Sequence, residues 1–197
     1  MGTARKIRKK FQGPRHPFNQ ARFEEELKYM GEYGLRNKRE LYKARTRLGR
    51  YRSRARDLLG LEPDDPLRMR EEKLLLDKMV SIGVLKQESV TLDMVLGLSL
   101  EDFLERRLQT QVYRRGLAAS PHQARQMVVH GHVALEGRKV TIPSYHLTPS
   151  QAELIDYAPS SPYRNDEHAL RKELLMLLEK TEEPAPEPEP KRRRERY

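Results

Sequence analysis

Residues 120–140 read SPHQARQMVVHGHVALEGRKV, and few stretches of this length fix so much local structure. Ser120 stands at an N-cap position, Pro121 at the first helical position and Gln123 at the third. That is a capping box whose first φ is pre-set by proline. Gly131 suits the left-handed residue that closes such a helix. HVAL and KVTI then alternate as short strands around EGR, where Gly137 supplies positive φ. Ahead of this unit, Ser99 and Asp102 cap a helix expected to run to about Arg115, with Gly116 beyond its end. Leu104, Leu108 and Val112 make one apolar stripe on that helix. Ala124, Met127 and Val128 make a second, on the helix after Ser120. Val133, Leu135, Val140 and Ile142 supply the sheet side. Two helices on a short sheet is an α+β module, placed at residues 103–157.

The rest of the chain is helical. Residues 21–31 read as a short helix ending near Gly31 or Gly34. From 35 to 59, Leu41, Leu48, Tyr51, Ala55, Leu58 and Leu59 recur at helical spacing. Gly49 inside this run is open to two readings, a kink or a close approach to a partner. LEPDDPLR is a proline-punctuated loop, and 69–82 resume as a helix with Leu75, Met79 and Ile82 on one side. Residues 166–180 form an amphipathic helix, with Leu170, Leu174, Leu177 and Leu178 expected to pack on the N-terminal helices. The organisation is thus a basic extended arm (1–20), a helical domain (21–102), the α+β module (103–157), a linker and C-terminal helix (158–181) and a charged tail (182–197). The tail is disordered by composition, and its KRRRER cluster is equally consistent with an RNA contact or with none.

Charge decides what class of partner to expect. The chain has 39 Lys and Arg against 29 Asp and Glu, a net charge of +10 and a pI near 9.8. Residues 1–60 alone hold 18 basic and 6 acidic side chains, whereas 61–102 are net acidic. A polyanion, nucleic acid or an anionic surface, is the partner such a balance fits. No apolar run is long enough to span a bilayer, and the N-terminus lacks the apolar centre of a signal peptide. The absence of cysteine excludes disulfides and thiolate metal sites, and it fits an intracellular chain.

Candidate contacts follow from spacing. The arm carries Arg5, Lys6, Arg8, Lys9, Lys10 and Arg15. Lys43, Arg47, Arg50 and Arg54 fall at i, i+4, i+7 and i+11, a cationic stripe too one-signed for an ordinary solvated face. Arg107, Gln111 and Arg114 share a face of the first module helix, and His122, Arg125 and Gln126 a face of the second. The N-terminus of that second helix adds N–H groups and positive dipole. Arginine suits such a surface because its planar fork binds phosphate oxygens bidentately. The competing reading of Arg107 and Arg125 is a salt bridge to Glu101 or Glu105. His122, His130, His132 and His146 have no cysteine or paired carboxylate to complete a metal set, and no nucleophile–base pair is visible. Catalytic residues, metal and cofactor are therefore all expected to be absent.

The stretch FLERRLQTQVYRRGLAASPHQARQMVVHGHVALEGRKVTIPS resembles the RNA-binding module named after small-subunit ribosomal protein four, in its RRL, S-x-x-x-A-R, G-x-V and G-x-x-V elements. With GPRHPF, GEYGLRNKRE, DDPLR, SIGVL and SPYRN in the same order, residues 11 to 165 look like the archaeal and eukaryotic branch of that ribosomal protein family. The resemblance implies a primary binder of small-subunit rRNA that docks on a junction in the 5′ domain and nucleates assembly. It implies a position beside small-subunit ribosomal protein five and near the mRNA as it enters, with an influence on accuracy, in the cytoplasm and away from membranes. Carried over by position, its RNA-facing residues are Arg106, Arg107, Arg114, Arg115, Ser120, His122, Gln123, Arg125, Gln126, His130, Gly131 and His132. Glu136 departs from the amide or basic residue usual at the hairpin tip, and the cysteine cluster of some bacterial members has no counterpart. Two rivals are an RNA-modifying enzyme carrying the module as an appendage and a stress-related ribosome-binding factor. About 40 unassigned C-terminal residues are too few for a catalytic core. The blocks in 11–100 are more than a free factor needs.

Overall fold

The computed structural model describes residues 9–86 and 90–182, with side chains to residue 176. Helix α1 (Gln20–Glu32) begins where the Asn19 side chain accepts from the Arg22 N–H. α2 (Lys38–Leu59) begins in the same way, Asn37 accepting from the Glu40 N–H. α3 (Pro66–Ile82) starts inside the expected loop. Asp65 caps it, Pro66 occupies its first turn, and Gly83 closes it at φ 74°. α4 (Leu92–Gly97) and α5 (Leu100–Glu105) follow, the latter with the expected Ser99–Asp102 capping box.

The helix expected from Leu100 to Arg115 is broken. α5 stops at Glu105 and α6 runs Leu108–Arg114, with Arg107 extended between them at ψ 142°. The cause is a distant segment. The Leu108 N–H donates to the Tyr145 carbonyl (2.8 Å), the Gln109 N–H to Pro143 (3.3 Å), and the Leu147 N–H to Arg106 (3.0 Å). Arg107 and His146 face each other as an antiparallel bridge. A crossing strand-like chain thus takes the backbone groups that a helical turn would use.

α7 (Pro121–His130) has the expected ends. Ser120 accepts from the Gln123 N–H and Gly131 closes the helix at φ 76°. Gln123 itself accepts from the Ala119 N–H rather than from Ser120, so the box is one-sided (2.7 Å). β1 (Val133–Leu135) pairs antiparallel with β2 (Arg138–Lys139) across a two-residue turn. Both turn residues have positive φ, Glu136 at 51° and Gly137 at 77°, as a tight hairpin matched to strand twist requires. β2 is shorter than KVTI suggested: Val140 is partly buried, but Ile142 is exposed and outside the sheet. After α8 (Pro149–Glu153), β3 (Ile155–Tyr157) returns on the other side of β1, giving the order β2-β1-β3. β3 was not anticipated. A single 3-10 turn (Pro162–Arg164) leads to α9 (Ala169–Glu182).

The fold is α+β, a mostly helical N-terminal part followed by a small sheet-bearing module. Leu108, Val112, Ala124, Met127, Val128, Val133, Leu135, Ile155 and Tyr157 fill the module core. Leu48, Ala55, Leu75, Met79, Val95 and Phe103 fill a second core among α2–α5. Leu104 joins Tyr33, Leu35 and Leu41 in a third cluster. Phe103 and Leu104 therefore pack with the N-terminal helices, and the cores separate at the 106–107 break rather than at residue 103. Arg171, at the start of α9, lies over the Tyr157 ring of β3 (4.9 Å), and His168, just before the helix, packs edge-on against Tyr163 (4.9 Å), which borders the module core. Leu177 and Leu178 lie outside the described side chains.

Candidate nucleic-acid interface

The arm crosses α2 at its middle. The Gln12 N–H donates to Thr46 Oγ1 (3.0 Å), Phe11 stacks on Tyr42 (6.3 Å), and Lys9 lies over the Phe11 ring (4.6 Å). Gly49 is exposed, with open space where a Cβ would be, inside the continuous helix α2. Lys9, Arg45, Gly49, Arg50 and Arg56 line the hollow between arm and helix. Lys9, Lys10 and Arg15 are exposed, and Arg5, Lys6 and Arg8 lie outside the described residues.

Lys43, Arg47, Arg50 and Arg54 are all exposed along α2, in the register their spacing predicts. Arg54 is engaged by Glu71 of α3. The other three border a cleft of about 650 Å³ between α2, the arm and the module. Lys10, Glu40, Lys43, Arg47, Arg50, Arg107, Arg125, Ser144 and His146 line it. Among the described residues, six cationic side chains therefore converge around one carboxylate.

That carboxylate is the organising group. Glu40 sits in the first turn of α2. Its Oε2 accepts from Arg107 Nη2 at 2.6 Å, and its Oε1 from Arg125 Nη2. Arg125 also donates to Gln109 Oε1 (3.0 Å). Gln109 is fully buried and donates through Nε2 to the carbonyls of Tyr33, Gly34 and Pro121 at 2.8–3.1 Å. Gly34 makes this joint possible. It has φ 57°, and a Cβ there would stand 2.7 Å from Gln109 Nε2 and 2.8 Å from the Pro121 Cβ. Backbone of the α1–α2 turn thus touches the start of α7 directly.

Arg107 is only 4% exposed. Burial lowers its pKa, and Glu40 opposes that shift. The salt-bridge reading therefore holds for Arg107 and Arg125, but the acid is Glu40 rather than Glu101 or Glu105. The helix break is why: it turns Arg107 out of the row it would share with Arg114. His146, opposite Arg107, is pushed down to about 4, by desolvation first and then by Arg47 and Arg107. Arg107 Nε and His146 Nδ1 are buried with no hydrogen-bond partner among the described residues.

The remaining candidates lie outside this cleft. Arg106 is half-buried, its guanidinium near Gly83. Arg114 and Arg115 are exposed, donating to Glu105 Oε1 (3.3 Å) and the Glu153 carbonyl (2.7 Å). Ser120 and Gln123 are occupied in capping, and His122 and Gln126 are exposed on α7. His130 stacks on His132 (6.4 Å), whose Nδ1 is 3.1 Å from Ser161 Oγ. Burial lowers the His132 pKa, with His130 and Lys139 adding to it. Gly131 is buried at positive φ, with Lys139 packed where a Cβ would stand. No group of three His, Asp or Glu suited to a metal occurs among the described residues. Among the described residues no helix is long and apolar enough to cross a membrane. Sequence reasoning missed Glu40, Gln109 and Ser144, and weighed His146 only as a metal ligand. The N-K-R-E spacing after Asn37 reads as a capping signal, so Glu40 carried no sign of its partners.

A two-helix module bearing a short sheet, joined to a basic helical domain across a cationic cleft, is the arrangement of a protein suited to a polyanion. Residues 106–152 match the family model described as the S4 domain, and residues 3–105 match the N-terminal domain of ribosomal protein S4/S9. The chain is 53% identical over 163 residues to the small ribosomal subunit protein uS4 of Ignicoccus hospitalis, covering 83% of this chain and 96% of the relative. It is 52% identical to that of Hyperthermus butylicus over 83% of this chain and 91% of the relative. The corresponding protein of Metallosphaera sedula is 48% identical, over 84% and 91%. The chain belongs to the uS4 family of small ribosomal subunit proteins. That family consists of structural ribosomal proteins, which removes the RNA-modifying enzyme as a rival.

Proposed function

We propose that this chain is a component of the cytoplasmic small ribosomal subunit and binds small-subunit rRNA across both its helical domain and its module. The observation that carries this reading is the cleft where Lys10, Lys43, Arg47, Arg50, Arg107 and Arg125 converge from the arm, α2 and the module. Cations fixed at separate points of a rigid frame suit the phosphates of a folded RNA, read by shape and 2′-hydroxyl contacts. Lys9, Lys10, Arg15, Lys43, Arg47, Arg50, Arg114, Arg115, His122, Gln126 and His130 are exposed and act as direct contacts. Arg107 and Arg125 hold the module against α2 and offer the cleft their free edges. Ser120, Gln123 and Gly131 shape the end-points of α7, and Arg106 and His132 act from half-buried positions. By family resemblance the target is a junction in the 5′ domain. There the protein nucleates assembly and, beside small-subunit ribosomal protein five and the incoming mRNA, influences accuracy.

The test is filter binding to a 5′-domain transcript against a non-cognate RNA of equal length. Beside the wild type runs the triple variant Lys43→Gln, Arg47→Gln, Arg50→Gln, whose changes are all exposed. Cognate-selective binding, weakened roughly 10- to 100-fold in the variant, is expected. Equal binding to both RNAs would overturn the reading.

A further inference from the structure

The antiparallel bridge between Arg107 and His146 places two unusual groups side by side at the cleft. Arg107 is a buried guanidinium whose Nε has no partner among the described residues, and the Nδ1 of His146, its partner in the bridge, has none among them either. Buried polar atoms are almost always paired, so two orphans on one bridge point to a partner that arrives from outside. The cleft also has unmatched charge. Both oxygens of Glu40, the one lining carboxylate among the described residues, are already taken by Arg107 and Arg125. Lining the same cleft as His146 are Glu40, Lys43, Arg47 and Arg50 from α2, Arg107 from the α5–α6 break, Arg125 from α7 and Lys10 from the arm. On its own segment lie Ser144, also lining the cleft, and Tyr145, whose hydroxyl points to Gln151 (3.5 Å).

We propose that Arg107, Arg47 and His146 seat one phosphate group of the bound RNA, and that His146 takes up a proton from solvent as the phosphate arrives. This rests on the rRNA-binding reading and deepens it. In the free protein, desolvation and the neighbouring arginines keep the imidazole neutral down to about pH 4. A phosphate anion reverses the balance of charge around the ring. The imidazolium becomes the favoured form and donates to a phosphate oxygen, a charge-assisted bond. RNA binding by this chain is therefore proton-linked through one histidine.

The experiment measures affinity for the 5′-domain transcript between pH 5 and 7 for the wild type and for His146→Gln. The other five histidines are common to both proteins, so only the difference in slope counts. His146→Gln keeps an uncharged polar side chain where the free protein holds a neutral one. His146→Asn and melting curves at pH 7 guard against a folding defect. Wild-type affinity is expected to gain roughly tenfold more than the variant's from pH 7 to pH 5. In parallel, the His146 ring resonance of the free, histidine-labelled protein is titrated with and without inorganic phosphate. A raised midpoint there, alongside the RNA linkage, means the seat accepts free phosphate. An unmoved midpoint with the RNA linkage intact means that the RNA chain must deliver the group. Parallel pH slopes for wild type and variant, with cognate binding intact, overturn the inference and leave the rRNA reading standing. Loss of cognate selectivity in the wild type at every pH would instead defeat that reading.

Discussion

His146 couples the fold to pH before any RNA is present. Its imidazole binds a proton near pH 6.5 in the unfolded chain but only near 4 in the folded one. Between those values the unfolded state holds more protons, so stability is full above about 6.5 and declines as pH falls toward 4. The difference is worth roughly 1–3 kcal/mol after allowing for partial solvent screening. Melting temperatures at pH 7 and pH 4.5 should show a smaller acid loss in His146→Gln than in the wild type. Gly34 is the other residue whose role is set by its surroundings. Gly34→Ala combines positive φ with overlap onto Gln109 and Pro121, and should cost about 2–4 kcal/mol in urea unfolding. Neither effect is legible from the residue alone. A glycine in GEYGLRN reads as a helix stop, and the close approach that demands it comes from Gln109, 75 positions away, and from Pro121 beyond it.

At the scale of elements, what the sequence announced were the ends. Caps at Ser99 and Ser120 and stops at Gly116 and Gly131 depend on residues within one turn, and such signals survive tertiary context. Ser120→Ala should therefore lower stability by about 1 kcal/mol, read from the urea midpoint at constant slope. What the sequence concealed were features built by distant chain. The α5–α6 break exists because residues 143–147 cross it, and helical periodicity continues through the break undisturbed. β3 is three residues long and shows only as an unremarkable LIDY. The stripe on α2 was legible for the opposite reason: it faces solvent, where no packing partner overrides spacing.

Over the whole molecule, a chain rich in cations is held together by a few carboxylates placed inside it. Glu26 is fully buried and joins Arg22, Lys38 and Tyr42 across α1 and α2. Glu40 joins the helical domain to the module through Arg107 and Arg125. Glu40→Gln leaves both guanidiniums without a counter-charge, and should cost about 2–4 kcal/mol and loosen the module against α2. Urea unfolding together with limited proteolysis near residues 106–107 would register both effects. Residue type and spacing thus nominate candidate RNA-facing residues, but do not divide them into exposed side chains and internal clasps. Arg107 and Arg125 look like their exposed neighbours in sequence, and only the partner acid, 67 and 85 residues away, separates them. The measurement that bears most directly on the account is the salt dependence of cognate binding, wild type against the Lys43→Gln, Arg47→Gln, Arg50→Gln variant. If α2 grips phosphates across the cleft, the slope of log affinity against log salt should shrink in magnitude by about 2 in the variant. An unchanged slope would mean that α2 touches no phosphate, and would contradict the claim that RNA is bound across both parts of the molecule.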